Sequence, residues 1–261
     1  MKKALDYILP LTLALALLGL WEAIVAIRQI PPYLLPAPSA IAAALCTHWA
    51  SLSAAMASTL FITLQGFAGA FLAAVLLAIL FSQSRLAEKM LYPYAVILQV
   101  TPVVAIAPLI LIWVGFERIE IALALIAGLI AFFPILTSAV QGLKSADFNL
   151  LDLTRLYGAS RWQTLRRVRI PSALPALLTG MKTGGVIALI GEVTAEFAAG
   201  SGTATGLAWR IAEAGNRLEI ATLFAAVALL CLTGILVFAS LSLLEWALLQ
   251  RWHESAIARE P

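Results

Sequence analysis

The chain has 261 residues, of which 62% are hydrophobic and only 12% charged, and its mean hydropathy is +0.97. Soluble domains usually carry about 25% charged residues and lack apolar runs of about 20, so these figures exclude a soluble globular protein and indicate an integral membrane protein. The net charge of +3 says little by itself; where the charges lie says more.

In chain order, the opening MKKALDYILPLTLALALLGLWEAIVAI holds an apolar run of about 20 residues, longer than the roughly 7–15-residue core of a secretory signal. It reads as an uncleaved first crossing, Tyr7–Ile27. Residues 28–57 follow as an external loop, with four prolines in the eight residues 31–38. A helix is predicted from Pro38-Ser39, too short and mixed to span, lying on the outer surface. Further crossings are predicted over Ser58–Phe81, Leu91–Gly115, Ile119–Val140, Thr183–Ala199 and Ile220–Leu249. The fifth is short and glycine-rich, and the last is long enough to tilt or to project. Pro93, Pro102 and Pro108 interrupt the third, which should be kinked or broken because each proline removes a backbone donor. Gln99 and Thr101 sit at the middle break, where they either satisfy freed carbonyls or line a passage. Between the fifth and sixth crossings, GSGTATGLAWRIAEAGNRLE reads as a glycine-rich turn and a short amphipathic helix. The expected fold is all-α, one transmembrane domain over 1–261 with about six crossings.

Orientation follows from the Lys/Arg asymmetry. With the N-terminus inside, the inner segments hold thirteen cations: Lys2, Lys3, Arg85, Lys89, Lys144, Arg155, Arg161, Arg166, Arg167, Arg169, Lys182, Arg251 and Arg259. The outer segments hold four: Arg28, Arg118, Arg210 and Arg217. Both termini are therefore expected in the cytoplasm.

Residues 141–180 form an inner loop too long for a bare connector. SADFNLLDLTRLYG reads as a helix capped by Ser145 or Asp147 and stopped by Gly158. SRWQ is a capping box, Ser160 to Gln163, opening a second short helix. Trp162, Leu165 and Val168 give that helix an apolar stripe flanked by arginines, and Pro171 and Pro175 are expected to end it. A basic patch gripping anionic lipid is one reading. A Gly-centred turn, a capping box and a proline stop in sequence favour the other, a rigid knob fitted to a soluble partner.

This loop resembles the EAA loop of permease subunits of binding-protein-dependent ABC importers, patterned E-A-A-x3-G-x9-I-x-L-P. Asp152, Leu153 and Thr154 stand in the EAA places, Gly158 in the Gly place, and Val168, Ile170 and Pro171 in the I, L and P places. The two alanines are replaced. YGASRWQTLRRVRIPSALPALLTGMK, IPPYLLPAPSAI, PVVAIAPLILIWVGF and AEFAAGSGTATGLAWRI are similar to the nitrate, sulfonate and vitamin-precursor branch of that family. The resemblance implies a homodimeric permease in the bacterial inner membrane, with two cytoplasmic ATPase subunits and an external solute-binding protein. It also implies a coupling helix in the loop, built from the residues above with Ala159, Ser160, Trp162 and Leu165, and alternating access driven by ATP. The chain itself has no phosphate loop, so ATP hydrolysis is expected in a separate subunit. No cofactor or nucleic-acid partner is expected.

Glu192 and Glu196 lie four apart in the fifth crossing, on one helix face. Intramembrane acids are expensive and usually face a bundle interior or water. They either pack and fix the dimer or line the pathway. Gly184, Ala188, Gly191 and Ala195 form a small-residue stripe suited to close helix packing. No Lys or Arg is expected deep in a crossing, which favours a neutral or cationic solute such as a pyrimidine, thiamine-precursor or riboflavin-type molecule over nitrate, a sulfonate or taurine. A proton-coupled secondary transporter using Glu192 and Glu196 is the rival, although no internal repeat is evident. A membrane-embedded enzyme would need a convergent set of catalytic side chains. The chain offers lone Cys46, Cys231, His48 and His253, with no metal-ligand spacing.

Overall fold

In hydrocarbon every backbone N–H and C=O must be paired within the protein, and a helix does this within one segment. Among the described residues the chain is helical almost throughout and contains no strand. The computed structural model describes residues 2–200 and 205–250, the side chains of residues 2–7 and of Phe116 excepted. Residues 201–204 of the glycine-rich turn, His253, Arg251 and Arg259 lie outside the described residues, as do the side chains of Lys2 and Lys3.

Among the described residues five helices are long and apolar enough to cross a membrane: α1 (Lys2–Arg28), α3 (Trp49–Gln83), α6 (Ile119–Lys144), α9 (Ile170–Ala199) and α11 (Ile220–Leu249). Two more, α4 (Arg85–Val100) and α5 (Val103–Val114), are bent by 100° at Thr101-Pro102 and make a sixth if counted as one broken span. Proline explains the break. Pro102 cannot donate and forces its predecessor out of the helical region, so Thr101 turns to ψ 124°. The short helices are α2 (Pro38–Thr47), α7 (Phe148–Leu156), α8 (Arg161–Thr164) and α10 (Leu207–Asn216).

The chain divides into two compact units, the first being Met1–Ser58 with Thr205–Leu232. Here α2 starts at Pro38, as its sequence predicts, but Ala37 offers no side-chain cap. The cap comes from α1, where Glu22 accepts the Ser39 N–H at 3.0 Å and the Ser39 hydroxyl at 2.7 Å. An acid at a helix N-terminus satisfies orphan donors and opposes the dipole. Leu52 and Ala55 pack with Leu207, Ala225, Ala226 and Leu229 in the core of this unit. That packing corrects the expected second crossing. No proline or glycine interrupts residues 49–57, so α3 runs from Trp49 rather than Ser58, and the surface helix is limited to α2.

The second unit, Thr59–Ala204 with Thr233–Pro261, is organised on α6 and α9. Gly142 meets Ala173 and Ala176, Gly180 meets Ser138, Gly184 meets Ile135, and Gly191 meets Ala127 and Ile130. Positions rise along α9 as they fall along α6, which makes the two an antiparallel pair. A Cβ on Gly184 would sit 2.4 Å from Ile135 Cγ1, so the small-residue stripe is used for close packing inside the chain. Gly66 of α3 also approaches α6 closely, meeting the backbone of Ala124 and Gly128.

The fifth crossing is longer than expected. Pro171 and Pro175 do not end the second short helix of residues 141–180, which with the first makes an elbow turning at Gly158; they lie inside a continuous helical run, Arg161–Ala199, of 39 residues. The reason is a π turn over Leu165–Arg169, in which the Ile170 N–H donates to Leu165 O, five residues back. This widened turn precedes Pro171, whose ring would otherwise press on the carbonyl four residues earlier. Pro171, which has no N–H to donate, then sits directly after the widened turn, in the first turn of α9. A consequence is that Lys182 becomes an interior residue of α9.

Candidate functional site

The elbow is assembled from local rules. Asp147 Oδ1 accepts the Asn149 N–H at 2.8 Å and starts α7, while the other expected cap, Ser145, donates to Gly142 O and closes α6. At the far end, the Gly158 N–H donates to Arg155 O and the Ala159 N–H to Thr154 O. These two bonds, with Gly158 at φ +66°, form a Schellman stop. Ser160 and Gln163 then exchange side-chain and backbone bonds of 3.2 and 2.8 Å, a complete capping box that starts α8. Because α8 continues through the π turn into α9, the elbow is the end of a single lever that runs to Ala199.

The elbow's side chains divide into those held inside and those presented. Leu165 is fully buried in a cluster with Ala139, Leu143 and Ala173, and Ile170 packs against it. The expected stripe of Trp162, Leu165 and Val168 is therefore split: Leu165 anchors the elbow inward, Val168 is half-buried, and Trp162 stays 62% exposed. Phe148, Leu156 and Tyr157 are each more than 80% exposed, a presentation the sequence stripe missed. Asp152, Leu153, Gly158 and Ser160 are exposed, while Thr154, Ala159 and Pro171 are half-buried. In the crook of the turn a cavity of about 400 Å³ is lined by Leu153, Tyr157, Gly158, Gln163 and Arg167 among others.

Two arginines fix the elbow to the end of α3. Arg169 Nη1 donates to Ser82 O at 3.1 Å and Arg161 Nη1 to Gln83 O at 3.5 Å. These carbonyls belong to the last turn of a helix, which lacks intrahelical partners and carries the negative end of the dipole. Lys144, the last residue of α6, pairs with Glu88 in the first turn of α4. The ends of α3 and α6, the start of α4 and the elbow thus meet at one end of this unit, which carries Arg85, Lys89, Lys144, Arg155, Arg161, Arg166, Arg167 and Arg169.

The other candidates lie elsewhere. Glu192 and Glu196 are 0% and 2% exposed within α9, and neither carboxylate oxygen of Glu192 has a hydrogen-bond partner. Gln99 is exposed on α4. Thr101 donates to Ile97 O at 2.9 Å and so quiets a carbonyl freed by the break. The structure does not gather Gln99 and Thr101 with the two acids. Sequence reading also missed an ion pair: Lys182 Nζ lies 2.5 Å from Glu245 Oε2 on α11, both side chains about a quarter exposed, with the Phe238 ring 5.6 Å away. The available signal was Glu245 as the one charged residue of α11 and Lys182 as the one cation of α9.

Comparison with known proteins follows the same lines. Residues 66–249, which include the elbow, match the family described as binding-protein-dependent transport system inner membrane component. The chain belongs to this family. It is a multi-pass inner-membrane permease of the ABC-transporter class. The permease is 36% identical to the riboflavin transport system permease protein RibX of Chloroflexus aurantiacus, over 95% of this chain and 90% of the relative. It is 32% identical to the formylaminopyrimidine transport permease protein ThiX of Halalkalibacterium halodurans, over 95% and 98%. To the taurine transport system permease protein TauC of Escherichia coli it is 30% identical, over 91% and 86%.

Proposed function

We propose that this permease works as a homodimer that imports a small solute, delivered by an external binding protein and driven by separate ATPase subunits on the cytoplasmic side. The elbow is the coupling helix. The single observation that carries this reading is its construction: a doubly capped turn, presenting Phe148, Leu156, Tyr157 and Trp162 to solvent, continuous with a 39-residue helical run. An apolar knob exposed at the end of a rigid helix suits a groove on a soluble partner, and a rigid helix passes displacement along its length. The concentration of Lys and Arg at the elbow end supports a cytoplasmic position for that end and for both termini.

Alternating access then follows from tilting α9 against its neighbours as the ATPases close and open. Glu192 would come to face the pathway in one of the two states, since burial of an acid without hydrogen-bond partners is unfavourable in either hydrocarbon or a packed core, and Glu196 would follow it, one turn on along α9. Lys182, the one cation of α9, is engaged by Glu245, so among the described residues α9 brings no free base to these acids. This favours a neutral or cationic heterocyclic vitamin precursor over a sulfonate, in line with the named solutes of two of the relatives.

Uptake of radiolabelled riboflavin or formylaminopyrimidine tests the reading, in proteoliposomes holding the permease, its ATPase and the binding protein. Uptake that requires internal ATP and survives collapse of the proton gradient supports it. Uptake that follows the proton gradient without ATP would support the proton-coupled rival instead.

A further inference from the structure

Adjoining the crook, with Thr154 and Ala159 in both linings, lies a second cavity, of about 650 Å³, between α7, α8 and the junction of α3 with α4. Four arginines line it, Arg85, Arg155, Arg161 and Arg169, together with Ser84 and Thr154, and no carboxylate does. Arg155 is paired with the exposed Asp152 at 2.9 Å. Arg161 and Arg169 spend one donor each on carbonyls of α3, and among the described residues Arg85 has no acidic partner. Each guanidinium carries five N–H donors, so the cleft holds many more charged donors than the protein satisfies. Its size is that of a small-ligand pocket, roughly 300–1,000 Å³.

We propose that this cleft binds the phosphate of an anionic lipid headgroup and so braces the elbow against the junction of α3 and α4. Planar guanidinium forks match phosphate oxygens bidentately, and the N-terminus of the 16-residue α4 adds a favourable dipole. Membrane lipid rather than free phosphate is indicated by what lies beside the arginines. Leu86, Met90 and Tyr94 recur at four-residue spacing along α4 and are 69%, 59% and 67% exposed. They offer an apolar track for an acyl chain leading away from the charged cleft. The inference rests on the reading that the elbow lies at the inner membrane face, where anionic headgroups are found. It separates two roles in one elbow: the apolar knob faces the ATPase, and the arginine side faces lipid.

The test is native mass spectrometry of the full-length permease, without ATPase or ATP. Phosphatidylglycerol and phosphatidylcholine compete in equal amounts, with and without inorganic phosphate. The wild type is expected to retain phosphatidylglycerol preferentially. Arg85→Gln and Arg155→Gln should each lower its occupancy about fivefold, and millimolar inorganic phosphate should displace little. Neither side chain is buried, and size-exclusion elution confirms that the variants fold. Unchanged phosphatidylglycerol binding in the double variant overturns the proposal, as does equal retention of phosphatidylcholine. Displacement by inorganic phosphate at comparable concentration overturns the lipid assignment in favour of a free-phosphate site. Since binding is read on the permease alone, failure here leaves ATP-driven import untouched, and failure of import leaves this result untouched.

Discussion

Gly158 is the residue on which the elbow's shape turns, and replacing it separates backbone geometry from packing. Its φ is +66°, and no heavy atom lies within 4 Å of where a Cβ would be. A new side chain there meets no clash and gains no contact, so only the left-handed backbone is taxed. An L-residue in that region costs about 1–2 kcal/mol, β-branched residues more, and Asn least. Gly158→Ala should therefore cost about 1 kcal/mol and Gly158→Val about 2 kcal/mol or more, with Gly158→Asn close to wild type. The α7 helix buries none of its residues, so the elbow has little local stability in reserve. A loss of 1–2 kcal/mol changes a two-state population by about 5- to 30-fold, and coupled uptake in proteoliposomes should fall by that order for Ala and Val respectively. Membrane insertion and detergent thermostability should hold, because the helix pairs of the second unit are untouched. Wild-type coupling in the Val variant, or an Asn variant as impaired as Val, would refute the reasoning.

Further outcomes are expected from packing and charge. Gly184→Ala should lower thermal stability by about 1–3 kcal/mol through overpacking against Ile135, and Ile135→Ala should recover part of it. Gly66→Ala should be as harmful and not recover by trimming side chains on α6, because its Cβ would meet the Ala124 carbonyl at 2.4 Å. Lys182→Met should cost about 2 kcal/mol by leaving Glu245 part-buried and unpaired, and adding Glu245→Gln should restore most of the melting temperature. Glu192→Gln should reduce solute uptake while binding-protein-stimulated ATP hydrolysis persists; if both are unchanged, Glu192 has no place in the pathway.

Much of the elbow was legible because it is written in local chemistry. A cap residue, a left-handed glycine and a capping box each act within about five residues, so Gly158, Ser160 and Gln163 could be placed without a structure and the cap narrowed to Ser145 or Asp147, of which the structure selects Asp147. The broken third crossing was legible for the same reason, since Pro102 acts on its own neighbours. What was not legible depends on distant partners. Pro171 and Pro175 look like a stop, and only the π turn and the burial of Leu165 and Ala173 against α6 carry the helix through them. Leu165 reads as part of an exposed stripe until α6 is laid beside it. Lys182 and Glu245 are 63 residues apart and meet only once α9 and α11 are packed. The expected beginning of the second crossing at Ser58 failed similarly, because core partners for Leu52 and Ala55 come from α10 and α11.

The central claim is that the elbow, and no other part of the permease, receives the ATPase. Hydrogen–deuterium exchange of the permease, alone and with its ATPase bound, tests it most directly. Protection is expected to concentrate over residues 148–164, with α2 and α10 unchanged. Unaltered exchange across the elbow, or protection centred on α2 or α10, would contradict it.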